Sequence, residues 1–384
     1  VSRAGESAPG ASITVEAAIF AKALAGVVSV VQRRNTIPIL SNVLISQKSG
    51  TVHLMATDLD REVKLPLAPV EFDGEMNITV DAQRLQSLFQ NLDNGAQVKL
   101  VQGDNGRLNI TSGRNRYHLP SLPAADMPQM PFGDDASLLT FRASDIRDVF
   151  ARMAVAQSSE ETRYYLCGLF MHMDADDASA VRFAATNGHK LIRMSGVQAQ
   201  RNGDIPDVII PSALVAVLSR LWANVADDTV VEVYVTASKL RFSFADWQVT
   251  GKVVDGSFPD YVRVIPTQND QVVTVDCDHL ISAAKRVMVL NSKKTPTIRC
   301  NFESDKLTLS VNDPSHGQAA AELPIEYSGD PMEVGINGQY LIEMAGAVPG
   351  SSARLSLADP RAPTLWESLI DNAGFSGVVM PIGL

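Results

Sequence analysis

LTFRASDIRDVFARMAVAQ, residues 139–157, holds two periods in succession. Leu139 and Phe141 alternate with Thr140 and Arg142, the pattern of a half-buried strand. Behind Ser144, which is placed to cap a helix, Ile146, Val149, Phe150, Met153 and Ala154 fall at three-and-four spacing and predict one apolar helix face. Arg147, Asp148 and Arg152 occupy the opposite face. The same strand-then-helix unit recurs near Ile13 and Val273, with variants near Ile78, Val208 and Val334.

Each unit continues into three short alternating segments, such as residues 40–46, 52–57 and 61–67 after the first helix. Like positions 13, 139 and 273 stand 126 and 134 apart, and 78, 208 and 334 stand 130 and 126 apart. The two halves of each block are offset by 65, 69 and 61. A long fixed period of this kind predicts six copies of one strand-helix-three-strand unit, paired into three domains. The fold class is therefore α+β, with an extension at 1–12 and domains at 13–135, 136–270 and 271–384. The connectors 120–135 and 258–270, rich in Pro, Asp and Gln, are expected to be linkers. Strands with one polar face put the helices over the core face of each sheet.

The 384 residues carry a formal net charge of -10, with 45% hydrophobic and 20% charged residues. Those proportions describe a folded protein, and at roughly 100–200 residues per domain the length predicts two or three domains. The acidic balance argues against a whole-surface nucleic-acid binder. It leaves room for a local basic surface, because the field felt by a polyanion depends on where the charges sit. None of Cys167, Cys277 and Cys300 lies in a Cys-x-x-Cys pair, and an odd number gives no disulfide framework, so a reducing cytoplasmic setting is expected. No apolar run approaches the ~18 residues that span a membrane. Residues 1–12 are small and polar, and are expected to be a flexible extension rather than a signal peptide.

Four first-turn acids, Glu16, Asp81, Asp145 and Asp278, suit helix N-termini. The remaining charges on the helices' polar faces are Lys22, Arg84, Arg147, Arg152, Arg220, Lys285 and Arg286 against Asp148 and Glu343. If the six helices share one surface, that surface is basic on an acidic protein. A basic lining without a base-reading motif suits phosphate-backbone contact with no sequence preference.

Several motifs occur in order along this repeat: TRYYLCG at 162–168, ATNGHKL at 185–191, GSFPDY at 256–261 and VVMPIGL at 378–384. With NTIPIL at 35–40 and LPAAD at 122–126, they resemble the bacterial DNA sliding clamps, the beta subunits of the replicative DNA polymerase III holoenzyme. The resemblance runs from about Ile13 to Leu384. It implies three domains of the DNA clamp fold in a head-to-tail homodimer, with helices lining a ring and sheets outside. A heterologous interface that closes makes such a ring. The expected function is that of a processivity factor, which encircles duplex DNA and tethers the replicative polymerase's catalytic subunit. Other polymerases and repair proteins would dock through short apolar peptides. Localisation is expected to be cytoplasmic, at the nucleoid.

The resemblance also implies sites. Arg34, Arg84, Tyr164 and Tyr165 would join the helix cations Arg147, Arg152, Arg220, Lys285 and Arg286 in contacting DNA. A tyrosine pair suits stacking on single-stranded bases. The partner-peptide pocket, between the second and third domains, would comprise Leu166, Thr186, Gly188, His189, Lys190, Leu191, Pro259, Arg263, Val264, Thr364, Val378, Val379, Met380, Pro381 and Ile382, with Arg163, Asn337 and Tyr340 nearby. Aliphatic and Met side chains make an adaptable wall for Leu and Phe anchors of an extended peptide. Val289 and Leu290 would meet the other subunit's first domain.

Three positions depart from the family pattern. Asn187 and Lys190 stand where Asp and Arg are common, and Lys190 lacks the planar fork of Arg. Gln83 stands where a basic residue is expected, and the loop 158–161 is acidic. No P-loop occurs, so opening the ring would need an external ATP-dependent loader. The six histidines show no metal-ligand spacing and no nucleophile motif stands beside them, so no catalytic residue, metal or cofactor is expected. Two other readings compete: a hydrolase or transferase, which would need a converging acid, base and nucleophile, and a peptide-binding scaffold that never encircles DNA.

Overall fold

Six times along the chain an alternating strand runs straight into an amphipathic helix. The computed structural model describes residues 10–32, 36–103, 106–133, 135–175, 177, 179–291 and 296–384. In the first third β1 (Ser12–Glu16) leads into α1 (Ala17–Val27), then β2 (Asn42–Lys48), β3 (Thr51–Thr57), β4 (Arg61–Leu67) and the short β5 (Glu71–Asp73). There β6 (Met76–Asp81) leads into α2 (Ala82–Gln90), then β7 (Gln97–Gly103), β8 (Arg107–Ser112) and β9 (Asn115–Leu122). In the middle third β10 (Ser137–Arg142) leads into α3 (Ala143–Met153), then β11 (Gly168–Met173), β12 (Ala180–Thr186), β13 (Lys190–Gln198) and β14 (Gln200–Asn202). Next β15 (Val208–Pro211) leads into α4 (Ser212–Leu221), then β16 (Val230–Val235), β17 (Lys239–Phe244) and β18 (Trp247–Lys252). In the last third β19 (Gln271–Asp276) leads into α5 (Cys277–Met288), then β20 (Thr297–Glu303), β21 (Lys306–Asp313) and β22 (Gly317–Pro324). Finally β23 (Met332–Asn337) leads into α6 (Gly338–Ala347), then β24 (Ser352–Leu357), β25 (Thr364–Ser368) and β26 (Phe375–Val379).

Paired units exchange their leading strands. β1 adds to β7 while β6 adds to β2, and β19 adds to β24 while β23 adds to β20, all antiparallel. Two compact units result, one of residues 1–138 with 220–252, the other of 139–219 with 253–384. In the first unit the strands run in the order β16-β17-β18-β4-β3-β2-β6-β9-β8-β7-β1-β5. The pairing of β18 with β4, Val249 opposite Val63, carries one repeat's sheet into the next. Its core joins α1 to α2 through Phe20 and Phe89, ring centroids 4.5 Å apart, and seats Trp222 against Phe242 and Phe244. In the second unit an eight-stranded sheet runs β15-β11-β12-β13-β26-β25-β24-β19, beside a four-stranded sheet β22-β21-β20-β23. Here β13 pairs with β26 from Lys190 opposite Val379 to Met194 opposite Phe375.

Three local expectations are corrected. Ser144 does not cap α3; its Oγ donates to Asp145 Oδ1 at 2.8 Å. The strand runs so directly into the helix that Arg142, still extended, takes the capping position, and it supplies no side-chain bond. Caps are made instead by Asp81, Asp276 and Asn337, which accept from backbone N–H groups two or three residues on. Ile19, expected on the apolar face of α1, is 57% exposed, because the buried stripe is set by Phe20, Leu24 and Val27. The connectors are not loose linkers. Residues 120–122 complete β9. Beyond them the Met130 N–H donates to buried Glu62 at 2.8 Å, Lys239 Nζ donates to the Pro131 carbonyl at 2.7 Å, and the Arg241 guanidinium lies over the Phe132 ring. The other connector is pinned by its aromatic residues. The hairpin turn expected at Asp104-Asn105-Gly106 lies partly outside the described residues.

Candidate functional site

The second connector makes one wall of a cavity in the second unit. Phe258 stacks on Phe170 of β11, centroids 4.9 Å apart and planes 6° off parallel. Tyr261, only 4% exposed, reaches His172 with its hydroxyl 2.9 Å from Nε2. The other ring nitrogen, Nδ1, lies 2.8 Å from the Met173 carbonyl, which can only accept. In the neutral ring Nδ1 therefore carries the proton and Nε2 accepts from Tyr261. Burial pushes the Tyr261 phenol above its ordinary range, against the opposing pull of Arg182 and Arg193. These contacts lay residues 258–264 across the sheet's outer face, where Ala184, Leu191 and Val378 pack on Tyr261.

The opposite wall is the hairpin joining β12 to β13. Asn187 Oδ1 accepts from the N–H groups of His189 and Lys190 at 2.9 and 3.0 Å. Thr186 Oγ1 donates to the Lys190 carbonyl at 2.8 Å and accepts from the Gly188 N–H. Gly188 has φ +88°, and a side chain there would meet the Arg163 guanidinium. The Met380 N–H donates to the His189 carbonyl at 2.9 Å and draws the C-terminal segment alongside. The resulting cavity, of about 170 Å³, is lined by Leu166, Thr186, Gly188, His189, Lys190, Leu191, Pro259, Asp260, Tyr261, Val264, Val378 and Met380. Its size suits one or two side-chain anchors better than a whole small molecule, whose sites run to roughly 300–1,000 Å³.

The remaining residues expected there stand around it. Strand alternation turns Val379 and Thr364 away from Val378; the Thr364 hydroxyl donates to the Val379 carbonyl and accepts from Trp366. Asn337 is buried as the cap of α6. Arg163 pairs with Glu160, whose carboxyl is held below its usual range by that guanidinium and then by Thr162. Arg263 points outward and pairs with Asp260. The Ile382 N–H donates to the Gly335 carbonyl, carrying Pro381 and Ile382 past the cavity. Tyr340 stands behind the hairpin, with His189 stacked on it at 6.4 Å and Lys190 Nζ 4.4 Å from its ring centroid. Asp260 and Tyr261 were missed from sequence. An aromatic pair three apart inside a polar connector was the available signal.

The expected DNA contacts divide into open and engaged side chains. Arg84, Arg220, Lys285 and Arg286 are exposed on their helices. Arg147 is half-buried. Arg152 is committed within the second unit: its Nε donates to Asp148 at 2.7 Å and its Nη1 to the Ala347 carbonyl at the end of α6 at 2.9 Å. Tyr164 is 53% exposed and sits edge-on to half-buried Tyr165, centroids 5.8 Å apart. Arg34 lies outside the described residues. Val289, just past α5, is 80% exposed, and Leu290 beside it is half-buried. In the first unit, Leu88 of α2 with Tyr117 and Leu119 of β9 lines a groove of about 600 Å³. Among the described residues no group of three or more His, Cys, Asp or Glu is arranged to hold a metal ion. No described helix is long and apolar enough to cross a membrane.

Three family models match the chain in order. They are the N-terminal domain of the DNA polymerase III beta subunit over residues 11–131, its central domain over 140–260 and its C-terminal domain over 262–383. The beta sliding clamp of Caulobacter vibrioides is 37% identical over 96% of this chain and 99% of its own length. The beta sliding clamp of Escherichia coli is 30% identical over 97% and 99%. Among solved structures, the sliding clamp of Bartonella birtlesii bound to griselimycin superposes with a TM-score of 0.93 at 35% identity, covering 97% of this chain and 99% of that one.

Proposed function

Because the chain belongs to the DNA polymerase III beta-subunit family, that of the bacterial sliding clamps, we propose that it is a processivity factor that encircles duplex DNA and tethers the replicative polymerase. The observation that carries this is the ordered succession of three family segments, 11–131, 140–260 and 262–383. The same succession supports domains at 13–135, 136–270 and 271–384. The working form is a head-to-tail homodimer closed through Val289 and Leu290 of one subunit and the first domain of the other. Exposure of Val289, and a groove on α2 and β9 that carries Leu88, Tyr117 and Leu119 among polar residues of α2, support that closure. An ATP-dependent loader opens the ring, and the protein works in the cytoplasm at the nucleoid.

Sliding requires attraction without registry. Exposed Arg84, Arg220, Lys285 and Arg286, together with Arg147, attract phosphates through screened charge, which releases counterions but reads no base. Tyr164 offers a face to an unpaired base. The cavity under Tyr261 takes the apolar anchors of short peptides on polymerases, repair proteins and the loader. The test is retention on nicked circular DNA after loading. Loaded protein is expected to stay on the circle in high salt and to leave when the circle is cut. Equal, salt-labile retention on circular and linear DNA would overturn encirclement and leave a peptide-binding scaffold.

A further inference from the structure

Lys190 shows its stem, not its charge, to the cavity. Its side chain is 4% exposed, and its ammonium forms an ion pair with Glu343 of α6 while lying over the Tyr340 ring. Glu343 is itself fixed: its other carboxylate oxygen accepts from Gln339 Nε2 at 2.8 Å, one helical turn away. Paired with Glu343 and covered by the Tyr340 ring, the buried ammonium is not presented to a ligand in the cavity. A ligand carboxylate entering beside Lys190 meets a cation already neutralised, and loses its own hydration with little return.

We propose that Glu343, which lies outside the cavity lining, is a specificity-determining residue: it withholds the Lys190 charge, so that the site selects peptides whose residues between the apolar anchors are uncharged. The inference rests on the reading of this cavity as a peptide site, and it names the partner's chemistry. Glu343 acts through Lys190 and so is a positioning residue. Its signature is a change of preference between ligands rather than a general loss of affinity.

The experiment uses the full chain and short capped peptides with leucine and phenylalanine anchors. Aspartate or serine is placed at each non-anchor position in turn, and affinity is read by calorimetry. In the unaltered protein aspartate is expected to bind no better than serine at any position. In Glu343→Gln, which keeps the side chain's shape, at least one position gains about five-fold for aspartate over serine. That gain shrinks as salt rises and disappears in the double variant Glu343→Gln with Lys190→Met. An unchanged aspartate-to-serine ratio in Glu343→Gln, with serine peptides still bound, would overturn the proposal. So would an aspartate preference already present in the unaltered protein and lost in Lys190→Met. Failure of every peptide to bind any form would overturn the peptide-site reading, and this inference with it.

Discussion

Tyr261 reaches from the connector to His172, and that one bond ties a loop of polar composition to a sheet. Replacing it by Phe leaves the ring packed but leaves the His172 acceptor unmet, at a cost of about 1 kcal/mol. Its pH signature has a definite sign. Burial raises the folded-state pKa of the phenol above its unfolded value near 10, so the folded form binds more protons above that pH. The associated stability is fully present below about pH 10 and is lost as pH rises through the folded value. Urea unfolding at pH 9 and pH 11 should show a smaller alkaline loss in Tyr261→Phe than in the unaltered protein; identical losses would mean that Tyr261 does not carry it. The cysteines give a second readout. Burial pushes Cys300 up to about 12 and Cys277 up to about 11, while Cys167 is only half-buried. Iodoacetamide at pH 8, followed by mass spectrometry, should label Cys167 in the native protein and all three only in denaturant. Labelling of native Cys300 would contradict that burial. The motif residues of the cavity were legible because they are contiguous, as in ATNGHKL. Tyr261 and Glu343 were not, because each acts through a contact distant in sequence: Glu343 lies 153 residues from Lys190.

At the scale of elements, periodicity carried the reading of all six strand-helix junctions. What it could not supply was the partner of each helix's polar face. Both acids counted against a basic lining prove to be paired: Asp148 with Arg152, Glu343 with Lys190. The first pair cancels within α3, and only Glu343 is offset by a cation, Lys190, from outside the helices. Arg152 spends its guanidinium on the same bridge, joining α3 to the C-terminal end of α6, where the last carbonyls lack helical partners. Arg152→Ala is thus expected to destabilise the fold by about 1 kcal/mol, discounted for partial exposure of the Asp148 pair. It should disturb DNA retention less than the combined change Arg220→Ala, Lys285→Ala and Arg286→Ala, whose side chains are exposed. Chemical denaturation and retention on nicked circular DNA measure the two effects separately. A stable Arg152→Ala protein that falls off DNA would reverse this assignment. The connectors were misread for a related reason: their Pro and Asp content signals turns, and although an apolar residue within such a stretch hints at docking, nothing local names the partners that Met130, Phe132, Phe258 and Tyr261 find.

For the whole molecule, the decisive features are edges left open. β9 pairs with β8 along its length but with β6 only at Ser121 and Leu122, so residues 115–120 have an outer edge with no strand partner among the described residues. β22 is likewise the outermost strand of its four-stranded sheet. Long unpaired edges invite pairing with another chain. Two different edges on one chain make that pairing heterologous, which closes into a ring when the rotation permits. Val289 stands beside the second edge's helix and the groove containing Leu88, Tyr117 and Leu119 beside the first, so in the proposed ring apolar burial would add to main-chain pairing. Val289→Asp with Leu290→Asp should then convert dimer to monomer by sedimentation at micromolar concentration and abolish retention on circular DNA. Because Val289 is 80% exposed, Val289→Asp alone should change the thermal midpoint little, which separates loss of closure from loss of folding at half-buried Leu290. Peptide affinity should not change, because neither Val289 nor Leu290 lines that cavity. A variant that remains dimeric would place closure elsewhere, and a monomer that still resists high salt on circular DNA would separate retention from encirclement.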